Sequence, residues 1–133
     1  MAVFVDTGAI VALLAPGDPN HEAAVEAYAR LTDAGALCLS DDVFDETITQ
    51  LRKKAGHGVA AETGRSIRQG ERFRLIQCTP DDRQRAWTLF ERHGKVVRSL
   101  TDCSSAAVME RLGIRTIFTF DSDFHAFGLT VVP

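Results

Sequence analysis

The chain has 133 residues, enough for one domain that buries about two thirds of its unfolded surface. An apolar fraction of 45%, a charged fraction of 25% and a net charge of -3 are those of an ordinary globular protein, and they argue against a disordered tail or a strongly basic nucleic-acid clamp. Three cysteines without a CxxC pair point to reduced thiols in a cytoplasmic protein rather than a disulfide framework. No apolar run approaches the roughly 20 residues of a membrane span, and nothing at the N-terminus reads as a signal peptide.

In chain order, Val3 to Val5 are β-formers and the apolar residues after Gly8 recur at helical spacing, so a buried strand turns into a helix with Asp6 at the strand's carboxyl end. Ala15 to Asn20 is dense in turn residues, after which Asn20 caps a helix over His21 to Asp33. Ala36 to Leu39 is a short strand. Ser40 or Asp41 caps a helix over Asp42 to Ala55, with Phe44, Ile48 and Leu51 on its apolar face and Asp42, Glu46, Thr49 and Lys53 on a polar stripe. Gly56 and Gly58 mark a turn before a helix over Val59 to Gln69. Phe73 to Cys78 alternates like a strand, and Thr79-Pro80-Asp81-Asp82 opens a helix that runs to about Arg92. A helix over Asp102 to Leu112, a strand over Ile114 to Phe120, a short helical or looped segment over Asp121 to Phe127, and a strand over Leu129 to Val132 complete the chain. Strands alternate with helices and no two-residue hairpin joins neighbours, which predicts an α/β domain over residues 1–133, with a parallel sheet of four or five strands covered by helices on both faces.

Parallel strands share a carboxyl edge with the N-termini of the helices that follow them, and ligands of open α/β sheets bind there. Asp6 and Asp121 end strands and Asp102 opens a helix, where an anion is favoured. A further acid on the third helix reaches the same edge, and periodicity does not choose between Asp45 and Glu46. Carboxylates converging in this way repel one another unless cations neutralise them. A hard-oxygen set suits Mg²⁺ or Mn²⁺ better than Zn²⁺, and supports attack of metal-activated water on a phosphodiester. Taken singly, Asp102 reads more readily as a helix cap, Asp121 with Asp123 as a turn, and Glu46 more readily still as a solvated side chain. Asp6 is the strongest, since a lone carboxylate in an apolar wall is costly.

The four segments FVDTGAIVALL, VFDETITQLR, LTDCSSAAVMERLG and IFTFDSDFHAFG, in this order, resemble the PIN-domain family, and within it the VapC-type ribonuclease toxins of toxin–antitoxin pairs. The resemblance spans the chain. It implies a PIN-like three-layer α/β/α sandwich and single-strand endoribonuclease activity. It also implies a catalytic quartet of Asp6, Glu46, Asp102 and Asp121, with Asp6, Asp102, Asp121 and Asp123 holding Mg²⁺ or Mn²⁺. It selects Glu46 over Asp45 and makes Thr7 and Thr119 hydroxyls that orient carboxylates or metal-bound waters. Gly8 departs from the pattern, standing where such toxins often carry a small hydroxyl residue. A homodimer and a VapB-like antitoxin, whose tail lies in a groove and offers a basic side chain to the acids, are further expectations of the resemblance. The alternative is a PIN-like RNA-binding or assembly module with little catalysis.

The letters VDTGA also resemble an aspartic-protease signature, but the helical sequence after Gly8 and the lack of a second DTG or DSG argue against that fold. Between Arg52 and Arg74 seven basic residues, Arg52, Lys53, Lys54, Arg65, Arg68, Arg72 and Arg74, face only Glu62 and Glu71. Beside an acidic pocket, Arg52, Lys53 and Lys54 are candidate contacts to RNA phosphates; singly, each reads as a solvated helix residue. Tyr28, Phe44, Phe73, Trp87, Phe90 and Phe124 read as core or interface rather than as base-stacking platforms, His125 as an exposed turn residue, and the cysteines as packing.

Overall fold

A computed structural model describes residues 1–97 and 99–133. Five strands, β1 (Ala2–Val5), β2 (Ala36–Ser40), β3 (Phe73–Ile76), β4 (Thr116–Phe118) and β5 (Thr130–Val132), form one parallel sheet in the order β3-β2-β1-β4-β5. Six helices, α1 (Thr7–Leu14), α2 (His21–Ala34), α3 (Asp41–Ala55), α4 (His57–Arg68), α5 (Pro80–His93) and α6 (Leu100–Leu112), and a 3₁₀ turn over Ser122–Phe127 make the connections. From β1 the sheet grows one way through β2 and β3, then the chain crosses back to add β4 and β5 on the other side. Right-handed crossovers in opposite directions place α1 to α4 on one face and α5 and α6 on the other, giving three layers. The order reverses between β1 and β4, and a crevice opens there at the carboxyl edge.

The strands are short apolar runs because both faces are covered. Val3, Phe4, Val5, Leu39, Ile117 and Phe118 are buried in the main core with Ile10, Met109 and Phe124. On α3 the buried residues are Val43, Thr47 and Leu51, while Phe44 and Ile48 are half-buried. They lie against Gly64 of α4, where an added Cβ would stand 3.3 Å from the Ile48 side chain, so glycine lets the two helices close.

Several boundaries shift from expectation for hydrogen-bonding reasons. Strand β3 stops at Ile76 because the Cys78 N–H donates to the Asp41 carboxylate and Thr79 opens a capping box with Asp82. Ser40, not Asp41, caps α3 by accepting from the Val43 N–H at 3.2 Å. Asn20 makes no capping bond, and its own N–H donates to Asp18 instead. Helix α4 begins at His57 and includes Gly58, since the break falls at Gly56, whose φ of +93° is costly for any residue with a Cβ. Helix α6 starts two residues early on a Ser99 cap, leaving Asp102 inside its first turn. Strand β4 begins only at Thr116 because the Ile114 N–H still closes α6 on the Met109 carbonyl.

Candidate active site

Asp6 sits at the crevice between β1 and β4. The register pairs Val5 with Phe118, so Asp6 falls beside Thr119, and the Asp6 N–H donates to the Phe118 carbonyl. The same residue caps α1: its Oδ1 accepts from the Thr7 N–H at 2.9 Å. Its Oδ2 accepts from the Thr119 hydroxyl at 2.8 Å. That Oγ1 accepts in turn from the Asp121 N–H at 3.0 Å, and Asp121 Oδ1 accepts from the Asp123 N–H at 2.9 Å. The ends of β1 and β4 and the start of the 3₁₀ turn are thus stitched through three acidic residues and one threonine.

Asp6 is only 8% exposed, and burial pushes its carboxyl up to about 6, against the downward pull of the Thr119 and Thr7 hydrogen bonds and with an upward push from Glu46 and Asp121. Burial, then the charges of Asp6, Asp121, Glu46 and Asp123, lift Asp102 to about 7. These couplings bring all five acids named from the sequence to one edge. Glu46 is half-buried on the site's side of α3, whereas Asp45 is exposed. No three of the edge acids, among the described residues, have ligand oxygens within 4.8 Å of one another. A buried and a half-buried carboxylate, both pushed well above the usual range and with further acids beside them, nevertheless fit a hard divalent cation, which would relieve both desolvation and like-charge repulsion.

Thr7 enters through its backbone N–H. Its hydroxyl is buried without a partner among the described residues, as are those of Thr47 and Ser105. Arg52, Lys53 and Lys54 are exposed on the last turn of α3, about 9–12 Å along the helix from Glu46, and Lys54 pairs with Asp18 at 3.2 Å. The structure therefore sets the basic tract well apart from the acids. His125 is exposed.

Beside the acids lies a second polar assembly that sequence reading missed. Arg83 grips both Asp42 oxygens at 3.0–3.2 Å, and Ser104 Oγ stands 2.9 Å from Asp42 Oδ2. Burial pushes the Asp42 carboxyl up, but Arg83 and Ser104 outweigh it and hold the group below the usual range. Asp41, Asp42 and Cys78 are the one trio of possible metal ligands within 4.8 Å of each other among the described residues. With Asp42 already neutralised by Arg83, that trio is a structural ion-pair network. Cys78 donates to Asp42 there rather than only packing, and burial with the adjacent acids pushes its thiol up to about 12. The signal was present in Asp42, four residues before Glu46 on the polar stripe, but its partners lie 36 to 62 residues away.

A three-layer α/β/α fold with carboxylates gathered at the switch point of a 3-2-1-4-5 sheet defines a class of acid-site α/β proteins, and the chain belongs to the PIN-domain family, whose pattern matches residues 3–128. It is similar to the 23S rRNA-specific endonuclease VapC20 of Mycobacterium tuberculosis, with 35% identity over 130 residues that cover 98% of this chain and 97% of the relative. The crystal structure of that VapC20, described as a Sarcin-Ricin loop cleaving toxin, superposes with a TM-score of 0.85 at 34% identity, covering 98% of this chain and 99% of the other. The crystal structure of PAE2754 from Pyrobaculum aerophilum, at 22% identity and a TM-score of 0.63 over 99% of this chain and 92% of the other, shares the fold.

Proposed function

We propose that this chain is a metal-dependent endoribonuclease that hydrolyses a phosphodiester in single-stranded or loop RNA, and that it is the toxin of a VapBC-type pair. The observation that carries the reading is Asp6: a buried carboxylate, fixed by two hydrogen bonds at the switch point and lifted to about 6 beside Asp102 at about 7. Asp6, Asp102, Asp121 and Asp123 would hold Mg²⁺ or Mn²⁺, with Glu46 completing the negative site. Bound there, the ion would supply a Lewis acid that activates water and offsets charge growing on the phosphate. The chain's own part is to fix the carboxylates: Thr119 holds Asp6 through a donated proton, and the backbone N–H groups of Thr7 and Asp123 fix the Asp6 and Asp121 oxygens. A cytoplasmic location belongs to the same reading, since such RNA is met there; no helix among the described residues is long and apolar enough to cross a membrane.

A groove of about 530 Å³, where Leu13, Leu14, Tyr28 and Phe73 alternate with charged residues such as Glu62 and Arg65, offers a mixed apolar and polar bed for a segment of an antitoxin. A homodimer belongs to the same reading.

The deciding experiment is cleavage of labelled RNA with Mn²⁺ by wild type and Asp6→Asn. Metal-dependent cleavage that falls at least 100-fold in the variant, and that EDTA abolishes, is the expected result. RNA bound but left intact by the wild type would support the non-catalytic module instead.

A further inference from the structure

Trp87, the chain's single tryptophan, is not a core residue. It is 50% exposed on α5, and its ring stacks on Phe90 with centroids 5.6 Å apart and planes 27° from parallel, which fixes the indole with one face outward. Leu100, on the first turn of α6, is 48% exposed. Together with Thr101, Ser104, Asp42 and Arg83 they line a cavity of about 360 Å³.

The place of this cavity is informative. Thr101 immediately precedes Asp102, and Asp42 lies one helical turn before Glu46 on the same side of α3. The two helices that bring acids to the cleavage edge therefore also wall the cavity, within about one turn of those acids. The Trp87 indole and the Leu100 side chain supply its apolar lining. The Arg83–Asp42 pair also lines it, where the guanidinium keeps N–H donors beyond those given to Asp42, while the Asp42 oxygens are already taken by Arg83, Ser104 and Cys78. An apolar cavity with guanidinium N–H donors beside it suits a nucleobase, whose ring nitrogens and carbonyl oxygens accept hydrogen bonds. Bases of single-stranded or loop RNA are splayed out and stacked on aromatic side chains in this way. A second copy of the chain fits the feature less well, because charged residues are depleted from interface cores and here an ion pair lines the cavity.

We propose that the Trp87–Leu100 cavity is a base-binding subsite, in which an unstacked nucleobase of the RNA inserts against the Trp87 indole and places the neighbouring phosphodiester at the Asp6–Asp102 edge. This rests on the ribonuclease reading and deepens it: Trp87 binds a base and takes no part in the chemistry.

Because the chain has one tryptophan, its emission reports on the subsite directly. The test titrates Asp6→Asn protein with 12-nucleotide oligo-A, oligo-U, oligo-C and oligo-G, and with an abasic sugar-phosphate 12-mer, following emission alongside the anisotropy of labelled RNA. Saturable quenching by at least one base-bearing oligomer and none by the abasic one is expected. In the otherwise wild-type enzyme, Trp87→Ala should raise KM about tenfold or more with a much smaller effect on kcat, and Trp87→Phe should restore most of the loss. Binding without quenching, no binding, or a KM within twofold of wild type for Trp87→Ala would overturn the proposal. So would a change of oligomeric mass in Trp87→Ala, by sedimentation, with emission indifferent to RNA, which would identify the patch as a contact between copies. A wild type that cleaves no RNA in Mn²⁺ would defeat the nuclease reading alone, since the quenching titration still decides the subsite.

Discussion

At Thr119 a single hydroxyl serves two acids, donating to Asp6 and accepting from the Asp121 backbone N–H. Groups that orient ligating carboxylates are typically worth 10- to 100-fold in affinity or activity. Thr119→Val keeps the shape and loses the bond, so we expect kcat/KM to fall by about that factor and Mn²⁺ binding, by calorimetry, to weaken with it; unchanged values would show the hydroxyl to be dispensable. The acids themselves carry a pH signature. Asp6 at about 6 and Asp102 at about 7 lie above the ~4 of an unfolded carboxylate. Between those values the folded chain holds protons that the unfolded chain has released, so stability falls as pH rises from about 4 to 7. The metal-free protein should melt several degrees lower at pH 8 than at pH 5.5, Mg²⁺ or Mn²⁺ should recover more at pH 8, and Asp6→Asn should flatten the slope. A metal-free Tm that does not fall over this range would contradict the raised values.

Between elements, α5 and α6 are clamped by a pair of the opposite sign. Asp82 is 3% exposed, accepts from the Thr79 N–H, and is gripped by Arg111 through Nε at 2.9 Å and Nη2 at 2.9 Å. The Arg111 guanidinium holds Asp82 below the usual carboxylate range, so its contribution is present above about pH 4 and is lost as pH falls through the lowered value. Arg111→Leu should lower Tm by several degrees at pH 7 and by much less at pH 2.5, followed by circular dichroism; an equal loss at both would mean that packing, not charge, is at stake. Neither this clamp nor the Arg83–Asp42 pair was legible in the sequence, because each joins residues 29 or 41 positions apart with no periodic signal. What periodicity and turn chemistry do encode is local. Val3 to Val5 followed by Asp6, the Thr79-Pro80-Asp81-Asp82 helix start and the Gly113 stop all appear where expected. Asp6, Asp102 and Asp121 were visible because each sits at an element boundary, and topology then carries boundaries to one edge. Glu46 and Asp45 were indistinguishable because neighbours on a helix differ by 100° of azimuth, and only the placement of α3 against the sheet says which one turns inward.

Over the whole molecule one exposed basic tract stands apart from the acidic site. The five site acids occupy the carboxyl edge, while Arg52, Lys53, Lys54, Arg65, Arg68, Arg72 and Arg74, with only Glu62 and Glu71 among them, are all exposed on the far part of α3, on α4 and around β3. If RNA tracks across that surface, replacing Arg52, Lys53 and Lys54 together by alanine should reduce the slope of log affinity against log salt by about 2, at about 0.7 per phosphate contact on a single strand. An unchanged slope would leave these residues as solvated helix ends.

The order in which the chain is made bears on a protein that attacks RNA. Asp6, Glu46 and Asp102 are synthesised first, but Asp6 is held by Thr119, and β1 takes its second neighbour only when β4 arrives. A nascent chain short of residue 116 has three of the acids and neither the strand nor the hydroxyl that registers them. The crossover topology thus acts as a timer: the cleavage edge cannot assemble until nearly all of the fold has emerged, which delays the weapon until its maker has almost finished it.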